Sequence, residues 1–168
     1  MPGDLLAEKL IKALQYEYRT YLEILKIAEK KTDALVKNDA VEVSKITEEE
    51  KVMAEQTVKL NQVREQILRS LAEAYDQDYK TLTIEKLKQI VEEPYKNQLG
   101  DLQKKMSDLL GKLKTRNGIN QKLIENAIRY LDFNIQLLAG PEPAAPTYSK
   151  SGTEVSGSSK RSLLDVRY

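Results

Sequence analysis

The chain has 168 residues, enough for one domain with a real core, and its 27 basic and 26 acidic side chains leave a formal net charge of +1. That balance argues against a nucleic-acid binder, which shows a basic patch or a clear excess of Lys and Arg. Cysteine and histidine are both missing, which excludes disulfides, thiolate nucleophiles and thiol metal sites, together with the commonest general base and the commonest transition-metal ligand.

A di-iron helical bundle needs Glu-x-x-His pairs, so that class is excluded as well. Carboxylates alone can serve a glycosidase, but two placed acids need a cleft and nothing in the sequence suggests one. Gly-rich phosphate loops are missing too. These absences indicate a non-enzyme that uses no cofactor and no metal. No apolar run approaches the roughly 20 residues that span a bilayer, so direct membrane insertion is not expected. The opening "MPGDLLAEKL" lacks the pattern of a secretory signal, and the expected location is the cytosol.

In chain order, Asp4 is positioned to cap a first helix over about 4–37. Its apolar stripe has coiled-coil spacing, Ile11, Leu14, Tyr18, Tyr21, Leu25, Ala28 and Leu35, with Thr32 in the one polar slot. "KNDA" breaks the chain. Asp39 and Glu42 then form a capping-box pattern for a second helix over about 39–75. Its stripe is Val43, Ile46, Met53, Leu60, Ile67, Leu71 and Ala74, but Glu50, Thr57 and Arg64 fall where the heptad wants apolar groups. A half-exposed seam accounts for them better than a buried polar network, which needs every group satisfied.

After the loop "DQDYKTLT", Thr83 suits the N-cap of a short helix over about 84–92, ended by Pro94. Pro94 in turn suits the first turn of a last helix over about 94–139, with Tyr95, Leu99, Leu102, Met106, Leu109 and Leu113 on one seam. Asn117-Gly118 is a turn signal inside it, yet the stripe stays in phase through Asn120, Ile124, Ala127 and Leu131. A single helical Gly costs only about 1 kcal/mol, which favours a continuous helix. Gly140 and "PEPAAP" end it. The expected fold is all-α: an elongated antiparallel helical bundle or coiled coil of three long helices plus one short helix over 1–139, with a flexible Pro/Ser/Gly-rich tail over 140–168.

The last helix carries more apolar residues than one seam uses. One stripe, Ile124, Ile128, Leu131, Ile135 and Leu138, is expected to face the bundle. A second, Ile119, Leu123, Tyr130, Phe133 and Leu137, lies one residue earlier, about 100° around the helix. It fits a partner, a second copy of the chain, or the short helix before Pro94; a well-buried central helix fits equally. In the tail, Ser162 and Asp165 resemble a cap for one helical turn over 162–168. Burying Leu163, Leu164 and Val166 would contribute about 1.5–3 kcal/mol each, nearly offset by about 1–2 kcal/mol per residue of ordering entropy. The segment is either a weakly docking cover or a plain frayed terminus.

The sequence resembles the flagellar export chaperones of the FlgN type. The similarity lies in the first helix, the "LVKNDAVEVSKITEEEK" transition and the N-x-x-N-x-x-L-I run at Asn117, Asn120, Leu123 and Ile124. It extends to the ending, "AIRYLDF", a Pro-rich link, "TY", and Gly152 four residues after the Tyr. The resemblance implies a cytosolic type III export chaperone that binds helical terminal segments of hook-associated junction proteins. Such a chaperone prevents their premature assembly and delivers them to the export gate. The second stripe then becomes the candidate client surface, and Tyr148 corresponds to the family's tail tyrosine, implied to touch the cytosolic domain of the gate. Family members often follow that tyrosine with Gly and later Asp, whereas this chain has Ser149 and Ser151. Two readings compete: a coiled-coil tether or homodimeric scaffold without a dedicated client, and a related chaperone serving filament or cap protein.

Overall fold

A computed structural model describes residues 2–140. The described chain is all-helical, with no strand among these residues: α1 (Pro2–Val36), α2 (Ala40–Ala74), a 3-10 turn (Tyr79–Thr81), α3 (Ile84–Ile90) and α4 (Tyr95–Ala139). The tail positions Tyr148, Leu163, Leu164 and Val166 lie outside the described residues.

Local chemistry sets each break. Asn38 takes a left-handed conformation (φ 54°), which Asn tolerates better than most residues, and the Asp39 N–H donates back to the Ala34 carbonyl at 3.0 Å. Asp39 then caps α2, its Oδ1 accepting from the Glu42 N–H at 3.0 Å. The reciprocal half of the capping box does not form, because Ala34 already takes the Asp39 N–H and the Glu42 carboxylate faces Lys45. At the other end of α2, Asp76 is left-handed (φ 51°) and the Gln77 N–H returns to the Ala72 carbonyl at 2.8 Å, closing the helix as a Gly usually does.

Two helix starts differ from expectation. α1 begins at Pro2, so Asp4 lies inside the first turn instead of capping it, where its charge still opposes the helix dipole. α4 begins at Tyr95, and Pro94 stands one position before it, its carbonyl accepting from the Gln98 N–H at 3.2 Å. Thr83 caps α3 through its hydroxyl, which accepts from the Lys86 N–H at 3.3 Å. α4 passes through Asn117-Gly118 unbroken and stops at Gly140, which carries the positive φ of 71° that glycine adopts without strain.

The chain divides into two compact units, Met1–Leu123 and Ile124–Tyr168. The first holds a core built from all four helices: Ala7, Leu10 and Ile11 of α1, Leu71 of α2, Leu87 of α3, with Val91 just after it, and Leu99 of α4. The short α3 is therefore a core element of this unit. Gly3 is buried against Tyr75, which packs on this core, and glycine is required there because a Cβ would come within 2.5 Å of the Tyr75 hydroxyl.

Away from that core, polar groups join the helices alongside buried apolar residues such as Ala28, Ala34, Ile46 and Leu109. Lys31 of α1 pairs with Glu50 of α2 at 2.6 Å, and Glu17 of α1 with Arg64 of α2 at 2.9 Å. The numbers rise along one helix as they fall along the other. Two of the three heptad-breaking residues of α2 are thus held in cross-helix ion pairs, along a seam that is half-exposed as expected: Val43, Met53, Leu60 and Ile67 are all partly buried. The third, Thr57, returns its hydroxyl to the Ala54 carbonyl at 2.7 Å. Glu17 is nearly enclosed, and burial pushes its carboxyl above the usual range while the Arg64 charge and hydrogen bond pull it partly back.

A second polar node joins α1 to α4. Asn120, buried at a seam position, donates to the Ala28 carbonyl at 2.8 Å. Its Oδ1 lies 2.6 Å from the hydroxyl of Thr32, the polar slot of the first stripe. Among the described residues no buried side-chain polar atom lacks a partner. A satisfied polar group at a seam position costs some stability but penalises every other register.

Candidate binding surface

Three concavities of the first unit lie near these helices. The most apolar, about 490 Å³, is lined by Leu14, Leu68, Leu82, Ile84, Leu102, Met106 and Leu110, with Arg64 at one side. A hollow of about 350 Å³ shares Arg64, Met106 and Leu110 with it and adds Glu17, Tyr21 and Asn61. The third, about 410 Å³, sits between Leu25 and Glu29 of α1 and Gly111 to Ile119 of α4. Of the five stripe residues singled out in the sequence, two belong to this unit. Ile119 lines the third hollow and is 40% exposed, and Leu123 is half-buried.

The second unit is different in kind. Tyr130, Phe133 and Leu137, the other three, are 67%, 57% and 64% exposed. The stripe expected to face the bundle is just as open: Ile128, Leu131, Ile135 and Leu138 range from 52% to 73% exposed, and only Ile124 is half-buried. That corrects the assignment of the first stripe to the bundle interior. Periodicity reports how wide an apolar face is, but not whether another element reaches it.

At about 100° per residue, the two exposed sets lie about 140° apart around α4, wider than the spacing inferred from their one-residue offset. Together they bound an apolar arc of about 220°, interrupted by Asn126 and Asn134. The complementary strip is polar: Asp132, Glu125, Gln136 and Arg129, with Arg129 donating to Asn126 Oδ1 at 2.8 Å. Ile128, Leu131, Ile135 and Leu138 are the residues that stripe-by-stripe reasoning misplaced. The signal that finds them is the total width of the arc, far beyond the roughly 100° a surface helix buries.

Among the described residues no cluster of acidic side chains is placed to hold a metal ion, and no helix is long and apolar enough to cross a membrane. Uncovered apolar helix of this extent, rimmed by polar groups, has the character of an interaction surface. The chain belongs to the FlgN family of flagellar export chaperones: the family model described as FlgN protein matches residues 1–156. No curated protein and no solved structure matches it. The match includes the Tyr148 position and stops before Leu163, Leu164 and Val166. The family is one of chaperones, not of enzymes.

Proposed function

We propose that the chain is a cytosolic type III export chaperone that binds helical terminal segments of hook-associated proteins, keeps them from assembling early and delivers them to the export gate. The observation that carries the reading is the exposure of Tyr130, Phe133 and Leu137 on the last helix of a FlgN-family chain. With Ile119 and Leu123 they make up the client-binding set. The scaffold is an antiparallel bundle, a reading supported by the opposed numbering of the Lys31–Glu50 and Glu17–Arg64 pairs.

An apolar helix face suits a helical client, whose backbone hydrogen bonds are already internal and which contributes its own apolar stripe. Such a complex is held by burial and released when a competing surface is offered. Tyr148 is the proposed contact with the cytosolic domain of the gate. Leu163, Leu164 and Val166 form a tail segment that competes with the client or folds over it.

The test is calorimetric titration with the terminal helical segment of a hook-associated protein from the same genome, repeated with Phe133→Asp, Leu137→Asp and a chain lacking residues 147–168. Saturable one-to-one binding, lost on either charge insertion, is the expected result. No binding, from a chain that sediments as a stable dimer, would replace this reading with a homodimeric scaffold. Tail removal that leaves both client and gate binding unchanged would remove the tail from the mechanism.

A further inference from the structure

We propose that the segment Ile124–Leu138 is the central helix of a bundle completed by the client, which supplies two helical segments, one for each exposed stripe. This rests on the chaperone reading above and adds the number and placement of the partner helices.

The geometry of this one segment carries the inference. A helix laid against another engages a stripe roughly 100° wide. The exposed arc here is about 220°, so one partner helix leaves half of it in water. The two exposed sets lie about 140° apart around the axis, with Asn134 and the small Ala127 between them. A central helix with a neighbour on each side has that pattern. The strip of Asp132, Gln136 and Arg129 marks the one side that stays in solvent.

Other occupants cover too little. A second copy in two-fold pairing opposes a stripe to itself, leaving the other stripe open. The apolar tail cluster spans seven residues, which as helix reach about 10 Å, whereas Ile124–Leu138 extends about 22 Å. The partner segments must be helical, because α4 has no free backbone edge to extend. Each must carry an apolar stripe of about four turns.

A photo-crosslinking residue placed at Leu131 in one full-length variant, and at Phe133 in another, distinguishes the possibilities. The probe is the full-length hook-associated protein from the same genome, with cross-linked peptides mapped by mass spectrometry. The expected result is capture at both positions, on two client segments separated in sequence. Capture on a single segment, or at one position only, would overturn the two-helix arrangement while leaving the chaperone reading intact. Titration supplies the second arm: Leu131→Asp and Phe133→Asp should each weaken binding at least tenfold, and Gln136→Lys should not change it. If neither aspartate variant weakens binding and neither position is captured, the client surface lies elsewhere and both readings of this segment fail. All three positions are exposed, so equal melting curves are expected and exclude misfolding as the cause.

Discussion

The two units are built from similar helical sequence and handle it in opposite ways. In the first, Leu10, Leu71, Leu87 and Leu99 come from four different helices and meet in one dry cluster, each at most 1% exposed. In the second, seven large apolar side chains of one helix are each more than half exposed. Residue type does not separate the two cases, since leucine and isoleucine dominate both. What separates them is the presence of other elements within reach. In the first unit four helices supply one another's partners, whereas the described part of the second is a single helix.

The comparison breaks most sharply at the core. Leu71→Ala should destabilise the chain by about 2–5 kcal/mol in urea unfolding, from lost burial and the cavity left behind. Phe133→Ala, a larger truncation at an exposed site, should change the same curve by less than about 0.5 kcal/mol. Equal losses for the two would mean that the second unit is covered in solution.

Next in size is the ion pair that replaces apolar packing between α1 and α2. Arg64→Ala strands the buried Glu17 carboxylate, and because Arg64 itself is partly exposed the loss should be about 1–3 kcal/mol, below that of a fully buried pair. Glu17 also gives this region a pH signature. Its carboxyl titrates above the ordinary value in the folded chain, so the folded state holds the proton more tightly than the unfolded one. That contribution is fully present below the ordinary glutamate range and is lost as pH rises through the raised folded value. Glu17→Gln should flatten this fall in stability with rising pH, measured by urea unfolding across the acidic range. An unchanged slope would remove Glu17 as its source.

Asn120→Ala should cost about 1 kcal/mol, leaving the Ala28 carbonyl without its Asn120 donor and opening a small void. Smallest of all for stability is Phe133→Asp, whose effect belongs to binding: near zero in unfolding and at least tenfold in affinity for the client segment. A variant of the first unit with the same profile would erase the functional contrast between the regions.

Much of this was legible in the residues. The all-helical class follows from heptad spacing, and the break at Asn38-Asp39 from residues that tolerate left-handed backbone and cap helices. Passage through Gly118 follows from a stripe that stays in phase, and the stop at Gly140 from a glycine followed by the Pro-rich "PEPAAP". The family could be named from the Asn117–Ile124 run and the ending around Tyr130 and Phe133. The pairings were not legible. Glu50 and Arg64 looked like flaws in a seam because their partners, Lys31 and Glu17, lie 19 and 47 residues away in sequence. Asn120 looked like one more position in a stripe, and only the Ala28 carbonyl beside it explains a buried amide there. The start of α1 at Pro2 was not legible either, because Asp4 offers a better side-chain cap two residues on.

By itself, then, the sequence determined which segments are helical, where they stop, which faces are apolar, and to which family the chain belongs. These are local properties, set by backbone preference and by a period of 3.6 residues. Only the tertiary structure decided which of those faces are used. It closed the leucines of four helices into a core, matched Glu17 and Lys31 to their counterions, and left Ile128 to Leu138 uncovered. The physical reason is that burial is a relation between two surfaces, and a one-dimensional pattern describes only one of them.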